Sequence, residues 1–338
     1  MKAQIRNSVA TDKEESATGT AMQEKLMDQE LHLRTMQELD KEEKGRERQI
    51  RSQRRPYTLI VLPGIILTIL FLIPFLWGIF LSFTGYRLNY PKEVFNWGAN
   101  YRNLFSSWSF WHSTIITFTY TAAAVAIEMV LGYYIASLLG HETVVARVMR
   151  RLIVLPFMVA PIIGTLLLKL MLNNRFGVIN YLLGFIGLRN FPWAASTNTA
   201  MLTVVLVDIW IFTPFVVLIL FAGRRGISRD PIDAASVDGA SSFSVTRKII
   251  LPMMMPTVLI ALIFRVIDSI IAFDIVWGMT GGGPGDATTV YTVTGYVRAF
   301  LSLDVAKGTT ILVVAWLIVF LVSQQLVKQW NEARKRLS

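Results

Sequence analysis

The sequence has no cysteine and only three histidines, His32, His112 and His141, among its 338 residues. Without cysteine the chain can form no disulfide, thiolate nucleophile or thiolate metal site. The three histidines are far apart in the sequence, so they predict no histidine-based metal site. Charge is scarce as well, because Asp, Glu, Lys and Arg make up 17% of the chain against about 25% in soluble domains.

Two further absences narrow the class of protein. No G-x-x-x-x-G-K-S/T loop is present, so the chain has no phosphate-cradling loop of its own. No early apolar stretch occurs in residues 1–55, so we expect no cleaved signal peptide. The polar loops also offer no His/Asp/Ser constellation, which disfavours a membrane enzyme.

Apolar residues are abundant, at 53% of the chain with a mean hydropathy of +0.49. Six apolar segments each reach the roughly 20 residues that cross a bilayer core. They cover residues 57–83, 111–139, 152–172, 201–222, 257–279 and 309–327. The sequence therefore predicts an all-α integral membrane protein with six transmembrane helices.

The positive charges indicate how these spans are oriented. Arginines and lysines cluster before the first span, between spans two and three, between spans four and five, and after span six. The other connections carry fewer. Because positive loops stay in the cytoplasm, both termini are expected to be cytoplasmic. The net charge of +10 is explained by these loops and predicts no nucleic-acid partner.

Three regions follow from this pattern. Residues 1–55 form a polar, charge-mixed tail with a weak helical stripe at 21–48, which is either a solvated tail or a helix lying on the membrane or on a partner. Residues 56–328 hold the six spans. Residues 329–338 form a cytoplasmic C-terminal tail.

The polar stretch at residues 229–252 lies between two spans and carries helix signals. Asp230 can cap a helix that begins at Pro231, since proline suits the first helical position. Asp233 would favour the positive end of the helix dipole. Gly239 can end the helix. We expect a second helical run at 241–250, with Pro252 at an elbow into span five.

The same stretch resembles a known motif. Asp233-Ala234-Ala235, Gly239 and Leu251-Pro252 have the spacing of the EAA motif in permease subunits of ABC importers, although the family usually has glutamate where Asp233 stands. Asp238, Ala240 and Phe243 resemble the version in the carbohydrate-uptake, maltose-type group. The TGGGP segment within 279–300 and the NYRNLF segment at 100–105 are also similar to this group. The resemblance covers residues 57–328.

This resemblance implies a type I ABC importer permease fold in a bacterial inner membrane. It implies a second, homologous permease chain, two ATPase subunits that carry the ATP and Mg²⁺, a solute-binding protein and a carbohydrate substrate. No cofactor is expected on this chain itself. The helix near 230–252 would be a coupling helix that contacts the ATPase through the following residues: Asp233, Ala234, Ala235, Gly239, Leu251 and Pro252.

Charges inside the spans are costly and mark functional positions. The resemblance implies a sugar path lined by Asp208, Phe212, Phe215, Arg265, Asp268 and Ser269. An equally open interpretation is an internal ion pair of Arg265 with Asp268 or Asp208. Arg265 would suit an acidic sugar, whereas its aspartate neighbours would neutralise it for a neutral sugar. Glu128 and Lys169 are expected to face the second permease or to lie near span ends.

Two alternatives remain open from the sequence. One is an ABC importer permease for a polyol or glycerol phosphate. The other is an ion-coupled secondary transporter that uses Asp208, Asp268 and Asp274 as cation sites. The EAA pattern disfavours the second alternative, because such a carrier has no ATPase to contact.

Overall fold

The computed structural model describes residues 61–188 and 190–336, together with Met36, Leu39, Lys41, Glu43 and Lys44. These five residues are helical, and the rest of the tail predicted at 1–55 lies outside the described residues. The described residues divide into two units after Phe75, and every contact reported below lies within the second unit, Leu76–Ser338.

The regular secondary structure of the described residues is helical, apart from two isolated β-bridges. One bridge joins Thr84 to Phe95 and the other joins Arg87 to Tyr90. Five of the described helices are long and apolar enough to cross a bilayer, and a bent pair brings the number of spans to six if it counts as one. In chain order the helices are α1 (Val61–Ser82), α2 (Ala99–Phe105), α3 (Trp108–Leu139), α4 (Val144–Leu152), α5 (Pro161–Met171), α6 (Val178–Gly184), α7 (Thr197–Arg225), α8 (Asp230–Val237), α9 (Ser242–Ile270), α10 (Asp274–Thr280), α11 (Tyr291–Tyr296, followed by a π-helical turn Val297–Leu301) and α12 (Val305–Lys335).

The third span is broken, which differs from the continuous helix expected at 152–172. The α4 helix continues to Met158 through a short 3₁₀ turn, and α5 then leaves at an angle of 97°. Pro156 and Pro161 lie at the starts of the turn and of α5. Because proline has no N–H to donate to the preceding turn, it ends a regular helix there.

The fifth span differs from the sequence prediction at both ends. The expected elbow at Pro252 is wrong, because α9 runs without a break from Ser242 to Ile270. A π-helical turn, Thr246–Ile250, ends just before Pro252, where the backbone has no N–H to pair in any case. The helix then ends at Ile270, so Asp274 begins the separate short helix α10 and is not part of the span.

The buried core consists of clusters between α3 and the helices that pack on it. One cluster joins α3, α7 and α10 through Tyr120, Val204 and Ile275. A second cluster joins α3, α4, α7 and α9 through Ala136, Ala146, Leu220 and Met254. Ile232 and Ala235 of α8 pack against this second cluster, so the polar stretch is fixed to the spans rather than hanging free.

The glycine run after α10 forms the tight loop that its sequence predicts. Gly281, Gly282 and Gly285 all have positive φ, and a Cβ on Gly282 would lie 2.9 Å from the Thr289 hydroxyl. Thr288 is fully buried, and its hydroxyl donates to the Gly283 carbonyl at 3.0 Å. The loop is therefore held in one conformation by its own threonines.

Candidate substrate path and coupling helix

The helices α3, α7 and α9 meet at one guanidinium group. Arg265 on α9 donates to Glu128 on α3 from Nε at 2.5 Å and from Nη2 at 2.9 Å. Its Nη2 also donates to Asp208 on α7 at 2.8 Å, and its Nη1 donates to Asp268, one turn along α9, at 2.6 Å. One cation is thus bound by three carboxylates from three helices.

Most of this network is closed to solvent. The side chains of Arg265 and Asp208 are each 1% exposed and that of Glu128 is 0% exposed. Buried charges of this kind persist only when they are paired and hydrogen-bonded. The internal pairing that the sequence left open for Arg265 is therefore present with both Asp208 and Asp268. The expectation that Glu128 faces a second permease or a span end is wrong, because Glu128 is buried and pairs with Arg265.

Asp268 is the member of this network that remains accessible, with its side chain 53% exposed. Its neighbour Ser269 is 1% exposed and donates to the Thr121 hydroxyl at 3.3 Å. Among the predicted polar path residues, Asp268 can therefore meet a solute directly, whereas Ser269 and Asp208 are covered in this conformation.

Phenylalanine rings lie next to the charge network. The guanidinium carbon of Arg265 lies 4.1 Å from the Phe212 ring centroid. Phe215 lies 5.4 Å from Phe157 and 6.2 Å from Phe264, measured between ring centroids. Phe264 is 57% exposed and precedes Asp268 by four residues, so both share one face of α9. The predicted pair Phe212 and Phe215 thus belongs to a larger aromatic cluster, and the sequence did not predict the contributions of Phe157 and Phe264.

Lys169 has a packing role. Its ammonium group donates to the Gly278 carbonyl of α10 at 2.8 Å and so joins α5 to α10. Lys169 also lies in the last turn of α5, so the expected position near a span end is confirmed.

The helix α8 begins one residue earlier than expected. Asp230 is its first residue, Arg229 precedes it without a side-chain cap, and Ser228 Oγ accepts from the Asp230 N–H at 3.3 Å. The predicted Asp230 cap is therefore wrong, although Pro231 and Asp233 both lie in the first turn, as expected. The C-terminus follows the sequence closely. Gly239 has φ +77°, and its N–H and that of Ala240 donate to the Ser236 and Ala235 carbonyls, as in a Schellman motif.

One side of α8 packs inward and the other is open. Ile232 and Ala235 face the core, whereas Asp233 and Ala234 are exposed. Val237 is 88% exposed, and Phe243 just beyond the turn is 72% exposed. Large apolar side chains in this position favour contact with another protein. The sequence did not predict a contact role for Val237, although an apolar residue on the polar face of a short helix is a signal that could have found it.

Leu251 and Pro252 are separate from α8, although Pro252 is itself exposed. Both lie in α9 beyond the π-helical turn, and Leu251 is half-buried. They belong to the span that carries α8 and not to the helix that presents Asp233.

A bundle of membrane-crossing helices with a short exposed helix between its fourth and fifth spans defines a transport permease. The chain belongs to the family described as "Binding-protein-dependent transport system inner membrane component", whose model matches residues 128–337. It is thus a multi-pass inner-membrane transport subunit and not an enzyme. Family membership sets aside the ion-coupled secondary transporter, since systems of this family depend on a binding protein.

Two curated relatives show how far the similarity extends. A probable ABC transporter permease protein of Sinorhizobium fredii is 34% identical over 74% of this chain and 80% of its own length. The trehalose/maltose transport system permease protein MalF of Thermococcus litoralis is 32% identical over 77% of this chain and 88% of its own length.

A solved structure has the same fold. It is a crystal structure of a bacterial ABC transporter involved in the import of the acidic polysaccharide alginate. One of its chains aligns with a TM-score of 0.72 and 19% identity, covering 84% of this chain and 99% of that one. The fold is therefore that of an ABC importer permease.

Proposed function

We propose that this permease carries a neutral sugar or short oligosaccharide. The observation that supports this is the state of Arg265, which is 1% exposed and bound by three carboxylates. A cation engaged in this way is not free to bind an anionic solute. The accessible charge is the Asp268 carboxylate, which would repel an anion and accept hydrogen bonds from sugar hydroxyls.

The surroundings of Asp268 suit a sugar ring. Phe264 lies on the same face of α9, and Phe215 and Phe157 continue the aromatic cluster. Aromatic rings can cover the C–H face of a sugar while a carboxylate binds its hydroxyls. The Thermococcus litoralis relative is named a trehalose/maltose transport permease. This name supports the same substrate class.

An acidic sugar is the other outcome of the test. The related fold belongs to a transporter of an acidic polysaccharide, but at 19% identity this likeness concerns the fold alone. Binding an oligouronate at this site would require Arg265 to leave at least one of its carboxylate partners. A polyol could be bound by the same hydroxyl-binding groups. Only a direct comparison of candidate solutes distinguishes a polyol from a sugar.

We also propose that α8 couples transport to ATP hydrolysis on two partner ATPase subunits, with a second permease chain completing the membrane portion and a binding protein delivering the solute. Asp233, Ala234, Val237 and Phe243 form the exposed surface for the ATPase. Gly239 fixes the end of α8 and Ala235 packs against the spans behind it, while Leu251 and Pro252 lie in α9. Basic residues beside α8 and at the end of α12 support a cytoplasmic position for both termini.

The experiment is a measurement of ATPase activity with the detergent-extracted complex, its binding protein and candidate solutes. We expect an ATPase subunit to co-purify with the chain and a neutral oligosaccharide such as a maltodextrin to stimulate ATP hydrolysis. An oligouronate of equal length is the matched competitor. Stimulation by the oligouronate and not by the neutral sugar would contradict the proposed substrate, whereas a complex without an ATPase would contradict the proposed coupling.

A further inference from the structure

A polar cavity of about 520 Å³ lies where the end of α3, the end of α7 and α8 meet. Arg224, Arg225 and Arg229 line it together with His141. Two acidic residues, Glu142 and Asp233, also line it, and Glu142 accepts from Arg225 at 2.8 Å. The cavity is therefore basic, and part of its positive charge is already neutralised within the chain.

Two guanidinium nitrogens at this corner lack a partner. Arg150 Nε and Arg224 Nη1 are buried and make no hydrogen bond. Both side chains meet the same turn after α3, since Arg150 Nη2 donates to the His141 carbonyl at 2.9 Å and Arg224 Nε would lie 3.5 Å from a Cβ on Gly140. Buried donors are nearly always paired in native proteins. Arg150 also faces Glu142, with its Nη2 3.9 Å from the carboxylate. The two unpaired nitrogens can still donate to an oxygen acceptor bound at this turn.

A second, apolar groove opens beside the same turn. It has a volume of about 660 Å³, and His141 lines both the groove and the polar cavity. The walls are aliphatic side chains of α3 and α4: Ile135, Leu138, Leu139, Val145, Met149 and Leu152. Apart from His141 and Thr143, the lining is apolar, which suits a hydrocarbon chain.

The helix α4 connects the two features. Its sequence VVARVMRRL places exposed Val145 and Met149 beside Arg147, Arg150 and Arg151. A short helix with aliphatic and arginine residues next to a membrane span is typical of the bilayer interface. Basic residues at this depth attract anionic headgroups.

We propose that this corner is a binding site for one anionic phospholipid. The phosphate of the headgroup accepts hydrogen bonds from Arg224 and Arg150, and an acyl chain occupies the groove between α3 and α4. Arginine suits phosphate because its planar guanidinium can donate two parallel hydrogen bonds. The lipid would lie against the turn beside α8, so it would brace the helix that, on the proposed function, contacts the ATPase.

The test is native mass spectrometry of the purified transporter complex with phosphatidylglycerol and phosphatidylcholine of identical acyl chains. We expect the complex to retain phosphatidylglycerol about tenfold more strongly, because both lipids offer a phosphate but only phosphatidylglycerol has the net negative charge that the arginines attract. Arg224→Gln should abolish this preference. Arg175→Gln, which removes an exposed arginine elsewhere, is the matched control and should keep it.

A groove variant separates a lipid from a free anion. Val145→Trp leaves the arginines in place and fills the groove, so it should weaken retention of phosphatidylglycerol even if Arg224→Gln fails to assemble. The proposal is overturned if the wild-type complex retains both lipids equally, or if Arg224→Gln keeps the preference. It is also overturned if Val145→Trp changes nothing while inorganic phosphate displaces the lipid, since the ligand would then be a free anion.

Discussion

Arg265 and Glu128 form a two-point ion pair that joins α9 to α3 across 137 residues of sequence, with Nε–Oε2 and Nη2–Oε1 distances of 2.5 and 2.9 Å. The pair is buried, so neither charge can be solvated by water. Asp208 adds α7 to the same guanidinium at 2.8 Å. This arrangement fixes three spans relative to one another and leaves Asp268 as the accessible edge of the network.

Glu128→Gln should destabilise the complex by on the order of 3 kcal/mol, because it breaks a buried ion pair and leaves the guanidinium with only its two aspartate partners. The measurement is the thermal unfolding of the detergent-extracted complex. The double variant Glu128→Leu, Arg265→Met removes both charges of the pair. Its loss of stability should be smaller than the sum of the losses in the single variants Glu128→Leu and Arg265→Met. Additive effects in this cycle would show that the pair contributes no coupling.

Asp268→Asn should reduce solute uptake about tenfold while leaving thermal stability close to wild type. The reason is that Asp268 is 53% exposed, so its substitution removes a charged acceptor for a sugar hydroxyl and strands little buried charge. Asp208→Asn is the matched control, since it changes a buried aspartate bound to the same arginine and should lower stability instead. Uptake by Asp268→Asn at the wild-type rate would remove Asp268 from the substrate path.

The environment of Asp304 predicts that the stability of the protein depends on pH. Burial raises its pKa, but the hydrogen bonds and charge of Lys307 and the hydrogen bond from Arg87 outweigh burial, so the pKa of Asp304 lies below its ordinary value. Because the folded pKa is lower than the unfolded one, the stabilisation is present above the unfolded pKa of about 4 and is lost as the pH falls through the folded value.

Asp304→Asn should therefore be less stable than wild type at neutral pH, by no more than about 1 kcal/mol because Arg87 and Lys307 are half-exposed. The difference should disappear on acidification below about pH 4. Unfolding midpoints of both proteins across the acidic range measure this effect. A gap that widens toward low pH would show that the sign is wrong.

The sequence predicted the membrane helices and the helix at the EAA stretch, because each depends on local composition or spacing, and it left the i,i+3 pair of Arg265 and Asp268 open. It did not place Glu128, since 137 residues separate it from Arg265 and no local pattern connects them. The prolines show the same limit. Pro156 and Pro161 accompany a break in the third span, whereas Pro252 lies inside a continuous helix after a π-helical turn, and only tertiary packing distinguishes these outcomes.

The open surface of α8 was predicted in part. Asp233, Ala234 and Gly239 lie where the motif suggested, on the open side or at the end of α8. Val237 and Phe243 stand out only once exposure is known, because an apolar side chain in a sequence usually indicates the core. The contact of Val237 and Phe243 with an ATPase stays a prediction. Replacing either residue by a charged one and measuring the ratio of solute imported to ATP hydrolysed in proteoliposomes would test it.

The most direct test of coupling through α8 compares Gly239→Val with Gly226→Ala in proteoliposomes that contain the whole transporter. Gly239 has φ +77° with no atom within 4 Å of an added Cβ, so valine strains the backbone by about 1–2 kcal/mol without a clash. Gly226, at the end of α7, has φ −80° and accepts alanine. The measurement is the ratio of solute imported to ATP hydrolysed.

We predict that Gly239→Val inserts and assembles normally but imports several-fold less solute for each ATP hydrolysed, while Gly226→Ala keeps the wild-type ratio. A Gly239→Val complex with the wild-type ratio of import to hydrolysis would contradict coupling through this helix.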